Sequence, residues 1–461
     1  MKIKPDIDQA GQMRPTSKNQ VFCTAPWVHT YISPQSERRL CCVSKEDSMM
    51  TNQYLDSGEQ GIYASSKNIS NYKPATLKDH FHSPYMNEIR RRIMAGEEVP
   101  QCEVCNYQKY SFQRYREWFN MLFYHKIDEC FEKTNADGST TMDPISFDYR
   151  VSNLCNFKCR MCGEQFSSTW EAEIKKNEWY DPEEKPYLLK ENKKIIETFQ
   201  IDVVEEELWD AACKGSVEEI YWAGGEPLMY PIHWRVMERL DKDDTLKNVF
   251  VRYNTNLSKV RFGKKCLYDY LPKAKDYQLF CSMDATGKVA EFIRTGLVWE
   301  QWDKNFREGV ALAPGSDKMK IDLTLTLPGL MDLVNLVEYA EDVGVSIAPS
   351  KVFAMTPDVI LSVNALPRYL RNRLVKEVLD NIYKYKDRQH ALITELEGVL
   401  NEKTFDEEFP DTYQESFRRT KEWHQEVAEF RQDGKESITI EEIYSRDQEV
   451  LDWYNEDRIQ G

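Results

Sequence analysis

Between residues 145 and 353, short apolar runs alternate with amphipathic, helix-patterned segments, and no other feature restricts the fold as much. The runs cover 145–151, 217–223, 248–254, 278–284, 321–327 and 345–353, with helical patterns such as 231–240 and 330–343 between them. Strands separated by helices pair in parallel, and right-handed crossovers curl such a sheet toward a barrel. Six strands make the expected fold α/β, a partial (β/α)6 barrel. Reactive groups in β/α barrels gather at the carboxyl ends of the strands, which is where chemistry-bearing motifs are to be sought.

The rest of the chain frames this segment. At 461 residues and 41% hydrophobic content there is material for two or three domains with sizeable cores. Residues 1–20 are polar and aperiodic and read as a flexible leader. Residues 21–125 form a cysteine-bearing module, with a strand-like stretch at 38–43 and helical patterns at 77–95 and 110–122. The turn-rich residues 135–141 make a boundary, and the barrel is expected over 144–355. The interval 165–215 is too long for one crossover and should hold an extra helix or two. Residues 366–461 turn highly charged and helix-patterned, which reads as a solvated helical C-terminal region.

A formal charge of −16 repels a phosphate backbone and argues against non-specific nucleic-acid binding. The start lacks the apolar stretch of a signal peptide, and no run approaches the roughly 20 apolar residues of a spanning helix, so no membrane association is expected. The expected location is cytoplasmic. Twelve cysteines in such a chain read as metal ligands and buried thiols, not as a disulfide framework.

Directly after the first strand of the barrel, Cys155, Cys159 and Cys162 place three thiols within eight residues. Three thiolates can hold a four-iron cluster and leave one iron open for chemistry. Zinc competes for such sites, but zinc knuckles usually pair thiols two by two and recruit a fourth ligand. No fourth Cys or His lies close in sequence. The second strand ends in Tyr221-Trp222-Ala223-Gly224-Gly225-Glu226-Pro227, where glycines admit a close backbone approach and the acid complements a cation.

A Cys-x3-Cys-x2-Cys triad after a strand, followed by Gly-Gly-Glu-Pro after the next, resembles the radical S-adenosylmethionine superfamily. The resemblance implies a [4Fe-4S] cluster on Cys155, Cys159 and Cys162, with Gly224, Gly225, Glu226 and Pro227 around the methionyl ammonium of S-adenosylmethionine. Met161 stands where relatives commonly carry an aromatic residue against adenine, and a polarizable thioether also contacts a ring. Asn256, in Thr255-Asn256, matches a turn at the floor of the cavity. Ser282 and Asp284 match a Ser-x-Asp strand end, with Ser282 toward the ribose or carboxylate. Arg294 would pair with the cofactor carboxylate, for which a planar fork is suited.

A second thiol set lies in the N-terminal module: Cys23, Cys41-Cys42, and Cys102 with Cys105 in a CxxC knuckle. Four thiolates bind zinc or a fully ligated four-iron cluster, and spacing does not separate these. The arrangement, with Arg90-Arg91-Arg92 on a helix, resembles the twitch or SPASM auxiliary-cluster modules of the same superfamily, here placed before the barrel. The resemblance implies a second [4Fe-4S] cluster on Cys23, Cys41, Cys102 and Cys105. Cys42 is the alternative to Cys41, since one of two adjacent strand residues points inward. Cys130, Cys213, Cys266 and Cys281 are expected to be buried small hydrophobes, His29 and His233 structural residues, and the aromatic run 107–124, with Arg114 and Arg116, a packed helix.

The activity implied is reductive cleavage of S-adenosylmethionine to a 5′-deoxyadenosyl radical, which abstracts a hydrogen atom from a peptide or protein. The alternatives are dehydrogenation or rearrangement of a small carbohydrate or nucleotide-derived molecule, and a non-catalytic iron-sulfur or zinc protein. A reductant such as flavodoxin or ferredoxin is the implied partner.

Overall fold

The computed structural model of the chain describes residues 1–45, 74–106, 115–182, 185–350, 360–435 and 437–456. Eight strands share one sheet: β1 His29–Ile32, β2 Arg38–Arg39, β3 Ser146–Tyr149, β4 Glu219–Trp222, β5 Phe250–Thr255, β6 Asp276–Ser282, β7 Met319–Thr324 and β8 Ile347–Ser350. Their order is β8-β7-β6-β5-β4-β3-β1-β2. The six strands expected from the apolar runs therefore form and lie side by side in chain order. The last three residues of the run at 345–353 lie outside the described residues.

By compactness the chain divides into two units. The first comprises Met1–Cys155, Glu164–Arg252 and Asp269–Tyr277, and the second Asn156–Gly163, Tyr253–Tyr268 and Gln278–Gly461.

In the first unit the N-terminal module extends the sheet. β1 pairs parallel to β3 and antiparallel to β2, with His29 opposite Ser146 and Tyr31 opposite both Asp148 and Arg39. The module's main helix, Pro84–Ala95, begins where Ser83 accepts a hydrogen bond from Met86 N at 3.1 Å with Pro84 at the first helical position. It stops at Gly96, whose φ of +76° is the left-handed conformation a glycine adopts without strain. The helix buries Ile89 and Ile93 against Phe22, Trp27, Phe119 and Cys130. Arg90 is also fully buried, donating to Pro26 O at 2.8 Å and Phe81 O at 2.6 Å. Residues 110–114 of the expected helix 110–122, Arg114 among them, lie outside the described residues, and the remainder forms Tyr115–Leu122.

Two expectations are corrected. Residues 1–20 are not a loose leader: Ile3 N donates to Met94 O at 2.7 Å, and the fully buried Asn19 side chain donates to Ile3 O and Ile93 O. The carbonyls at the end of helix Pro84–Ala95 thus gain partners from this segment. Cys213 is exposed, because it sits in the last turn of helix Glu205–Lys214 away from the buried face of Leu208, Ala211 and Ala212. Cys130, Cys266 and Cys281 are buried as expected.

Among the described residues of 165–215, three α-helices form, Ser168–Lys176, Lys190–Phe199 and Glu205–Lys214, with a 3-10 turn at Pro186–Leu188. A π-helical turn, Gln200–Val204, joins the last two.

In the second unit β7 pairs parallel to β6 and β8. Helices Arg368–Ile382, His390–Val399 and Tyr413–Arg431 follow. The first buries Leu370, Leu374, Val375, Val378 and Ile382 along one stripe, so this region carries a core as well as a charged face. Among the described residues no helix is long and apolar enough to cross a membrane.

Candidate functional site

Within the first unit, β3 runs into the backbone stretch 151–155, and this stretch receives the glycine turn that follows β4. Gly225 N donates to Ser152 O at 3.3 Å and to the Tyr230 hydroxyl at 2.7 Å; that hydroxyl in turn donates to Ser152 O at 2.6 Å. Glu226 N donates to Leu154 O at 2.7 Å. The approach leaves no room for a side chain, since a Cβ on Gly225 would lie 2.5 Å from Leu154 O. Gly224 holds a φ of +118°, a second reason for glycine. Glu226 is fully buried, and its carboxylate accepts from Leu228 N at 3.1 Å, capping the short turn Pro227–Met229. Cys155 ends this stretch, with its backbone N donating to Ser168 Oγ at 3.2 Å and its carbonyl accepting from the same hydroxyl. Tyr230, which bridges the two segments, carried no signal in the sequence.

Within the second unit the remaining loop, 156–163, is held at several points. Lys158 N donates to Thr295 O at 2.9 Å and Arg160 N to Ile293 O at 2.8 Å. Gly296, at φ +106°, packs so closely that a Cβ would lie 2.8 Å from Asn156 O. Helix Tyr413–Arg431 takes part: Arg431 Nη1 donates to Lys158 O at 3.1 Å, and the buried Arg160 guanidinium pairs with Asp433 just past that helix. Asn256 Nδ2 donates to Asn156 Oδ1 at 3.1 Å, so the residue expected at the cavity floor ties directly to the loop. Met161 and Cys162 are half-buried, and Cys159 is buried.

Arg294 joins two of the expected residues. Its Nη2 donates to Asp284 Oδ1 at 2.9 Å, and its Nε lies 2.8 Å from Asp284 Oδ2 in an ion-pair contact, while Nη1 reaches Cys159 Sγ at 3.9 Å. Asp284 Oδ1 also accepts from Thr324 N at 2.8 Å. Burial raises the Asp284 carboxyl above its ordinary range, and the Arg294 charge works against that rise. Burial likewise pushes the Cys159 thiol up, opposed by the same guanidinium. Ser282 is half-buried at the end of β6, in register with Asp322 of β7.

The second thiol set lies wholly in the first unit, where Cys23, Cys41, Cys102 and Cys105 line one small cavity with Tyr115, Arg116 and Phe119. Burial pushes the Cys23 thiol up, and the neighbouring Cys102 adds to the shift. The Cys41 thiol is raised by burial, then by Cys42 and Cys102. Cys42 is absent from that wall; burial and Asp148 push it up to about 12, against the pull of Arg150 and Arg252. The two cysteines lie in the bend and turn just past β2, which ends at Arg39, and only Cys41 reaches the cavity wall. Among the described residues, no three His, Cys, Asp or Glu side chains already stand in a metal-binding arrangement. The donor chemistry suits iron or zinc, with four thiols and no competing carboxylate on one wall.

Alternate residues of β1, β3, β4 and β5 give the first unit a polar sheet face. His29 Nδ1 is hydrogen-bonded to Ser146 Oγ at 2.7 Å, Ser146 donates to Glu219, and Arg252 Nη1 donates to Glu219 Oε1 at 3.0 Å. Asp148 holds Arg150 through two contacts of 3.0 and 3.1 Å, and that guanidinium lies over the Tyr31 ring. Burial first, then Arg252 and Arg150, lower the His29 pKa to about 3. His233 packs edge-on against Trp222 and Trp234 in the core.

No family model and no curated protein sequence matches the chain. Structural neighbours among solved proteins include three crystal structures of Streptococcus suis SuiB. The one bound to precursor peptide SuiA shares 14% identity at a TM-score of 0.34, over 57% of this chain and 52% of that one. The one bound to S-adenosylmethionine gives 17% and 0.28, over 40% and 39%. SuiB itself gives 13% and 0.34, over 66% and 63%. The chain thus spans between about two fifths and just under two thirds of the length of these neighbours.

Proposed function

We propose that the chain is a radical S-adenosylmethionine enzyme that abstracts a hydrogen atom from a peptide or protein. The observation that supports it most is the junction in the first unit: two motifs far apart in sequence meet as Gly225 N and Glu226 N donate to Ser152 O and Leu154 O, on the backbone that ends at Cys155. In this reading Cys155, Cys159 and Cys162 are the three thiolate ligands of a [4Fe-4S] cluster, and Gly224, Gly225, Glu226, Pro227, Met161, Asn256, Ser282, Asp284 and Arg294 surround S-adenosylmethionine. When bound, the pair supplies one-electron cleavage of the sulfonium and thereby the radical that removes the hydrogen atom.

The chain's own residues hold and orient. Tyr230 locks the glycine turn onto the triad's stem through its two hydrogen bonds. Arg294 presents positive charge to Cys159, which favours its thiolate, and is itself oriented by Asp284. The polar face with Asp148, Arg150, Glu219 and Arg252 offers fixed charges to a polar substrate. Cys23, Cys41, Cys102 and Cys105 hold a second cluster in this reading, within an auxiliary module at 21–125 that precedes a barrel at 144–355 and the helical region at 366–461. A flavodoxin or ferredoxin supplies the electron.

Anaerobic reconstitution tests the ligand sets. The wild type should hold about eight irons and eight sulfides per chain, and a Cys155→Ala, Cys159→Ala, Cys162→Ala triple variant about four. Zinc at the N-terminal set, or an iron content unchanged in the triple variant, contradicts the assignment.

A further inference from the structure

The first unit contains a cavity of about 280 Å³ that the reading above does not use. It opens beside the π-helical turn, near Ile201, which is 59% exposed. Val151, Leu154 and Ile196 give it apolar walls, while Glu197, Gln200 and Glu205 contribute acceptors. Among the described residues its one cationic lining residue, Lys193, is engaged by Glu171, which also accepts from Lys175 and Asn153.

Two acceptors on this wall are left over. Gln200 is 4% exposed, and its Nε2 is committed to Ser33 O at 3.1 Å and Ser36 Oγ at 2.9 Å, while Oε1 has no hydrogen-bond partner among the described residues. The half-buried Glu205 carboxylate accepts no hydrogen bond and forms no ion pair among the described residues; partial burial raises its pKa, with the Arg235 charge opposing. Buried acceptors without donors are costly, and a charge-assisted donor removes that cost. A π-helical turn at the junction fits a functional role, since such turns interrupt helices frequently at binding sites.

We propose that this cavity is a binding site for an ammonium or guanidinium group on an aliphatic stem. The stem lies along Val151, Leu154 and Ile196, and the cationic head meets Glu205 and Gln200 Oε1. An anion is repelled by Glu197 and Glu205, and an uncharged apolar ligand leaves Gln200 Oε1 buried without a donor. The volume lies at the lower edge of ordinary ligand pockets, about 300–1,000 Å³, which suits one side chain or a small amine. Residues 151–154 form both a cavity wall and the backbone that carries the glycine turn, so an occupant touches the stem of Cys155. The same chemistry has two sources, a basic side chain of a peptide or a free amine.

Isothermal titration of the full chain, with no S-adenosylmethionine present, separates them. The probes are agmatine and acetyl-Gly-Arg-Gly-amide, with hexanoate and the norleucine peptide as controls. Saturable binding of agmatine alone supports a free amine, and binding of the arginine peptide supports a peptide side chain. In either case Glu205→Gln should weaken binding about tenfold or more, the value of one charge-assisted hydrogen bond. Ile201→Trp, at the exposed rim, should weaken it without touching the acceptors, and circular dichroism confirms that both variants fold. No saturable binding of either cation, equal binding of a control, or affinities unchanged in both variants overturns the proposal. Because the titration needs no cluster, its failure is independent of the enzymatic reading.

Discussion

Replacing Arg294 by methionine removes one half of a buried ion pair while keeping most of the side-chain volume. Asp284 has no side-chain exposure and Arg294 has 9%, so water does not replace the lost partner. Two unit charges about 4 Å apart attract by about 4 kcal/mol at an effective dielectric of 20, and breaking a buried pair by deleting one partner typically costs about 3–5 kcal/mol. The Thr324 N bond to Asp284 remains and keeps the loss toward the lower end of that range.

The cost should depend on pH with a definite sign. The Asp284 carboxyl is already raised by burial, and loss of Arg294 raises it further. A carboxyl whose folded pKa lies above its unfolded value stabilises the fold fully only below the unfolded value, and loses that contribution as pH rises through the folded pKa. The variant should therefore be about 3 kcal/mol less stable than wild type at pH 8, with the gap narrowing as the pH falls to 5. Urea unfolding of the cluster-free protein at both pH values measures it. Adding Asp284→Asn to Arg294→Met should recover part of the loss, since a neutral amide needs no counter-charge. A deficit below about 1 kcal/mol at pH 8, or one equal at both pH values, refutes the reasoning.

Gly225→Ala should cost about 1–3 kcal/mol, because the new Cβ meets the backbone of Leu154 and Asn153 and not a yielding side chain; thermal unfolding reads it. Gly398→Ala, in a helix with open space around it, should instead stabilise by about 0.5–1 kcal/mol. Cys41→Ser should abolish the second cluster while Cys42→Ser retains it, as iron counts will show. His29 titrates at about 3 in the fold, below its ordinary value of 6.5. Its contribution is fully present above pH 6.5 and falls by about 1.4 kcal/mol per pH unit on acidification toward 3. An NMR titration of His29 with a midpoint above 6 contradicts this.

The six strands from β3 to β8 were legible because each run combines apolar residues with a turn after it, which is local information. The junction of Gly225 with the Cys155 stem was legible in part, since glycine pairs announce a close backbone approach but do not name the partner. Tyr230 was not legible, because a tyrosine five residues beyond a glycine is ordinary until the turn brings its hydroxyl back to Gly225 N and Ser152 O. Nor was the pairing of β1 with β3, since His29–Ile32 is buried at every position and lacks alternation. Arg294 stood out in the sequence as a cation after a strand end, but its bond to Asp284 follows from how the chain returns over that strand end. The exposed Cys213 shows that a cysteine's burial depends on its helix face more than on its type.

In the proposed function, Cys155, Cys159 and Cys162 hold the cluster at which S-adenosylmethionine is cleaved to a radical. The most direct measurement is the release of 5′-deoxyadenosine by the anaerobically reconstituted protein after addition of S-adenosylmethionine and dithionite. The expected result is release that requires reductant and disappears in Cys159→Ala. Iron bound at the triad with no 5′-deoxyadenosine formed in the reduced wild type would contradict the account.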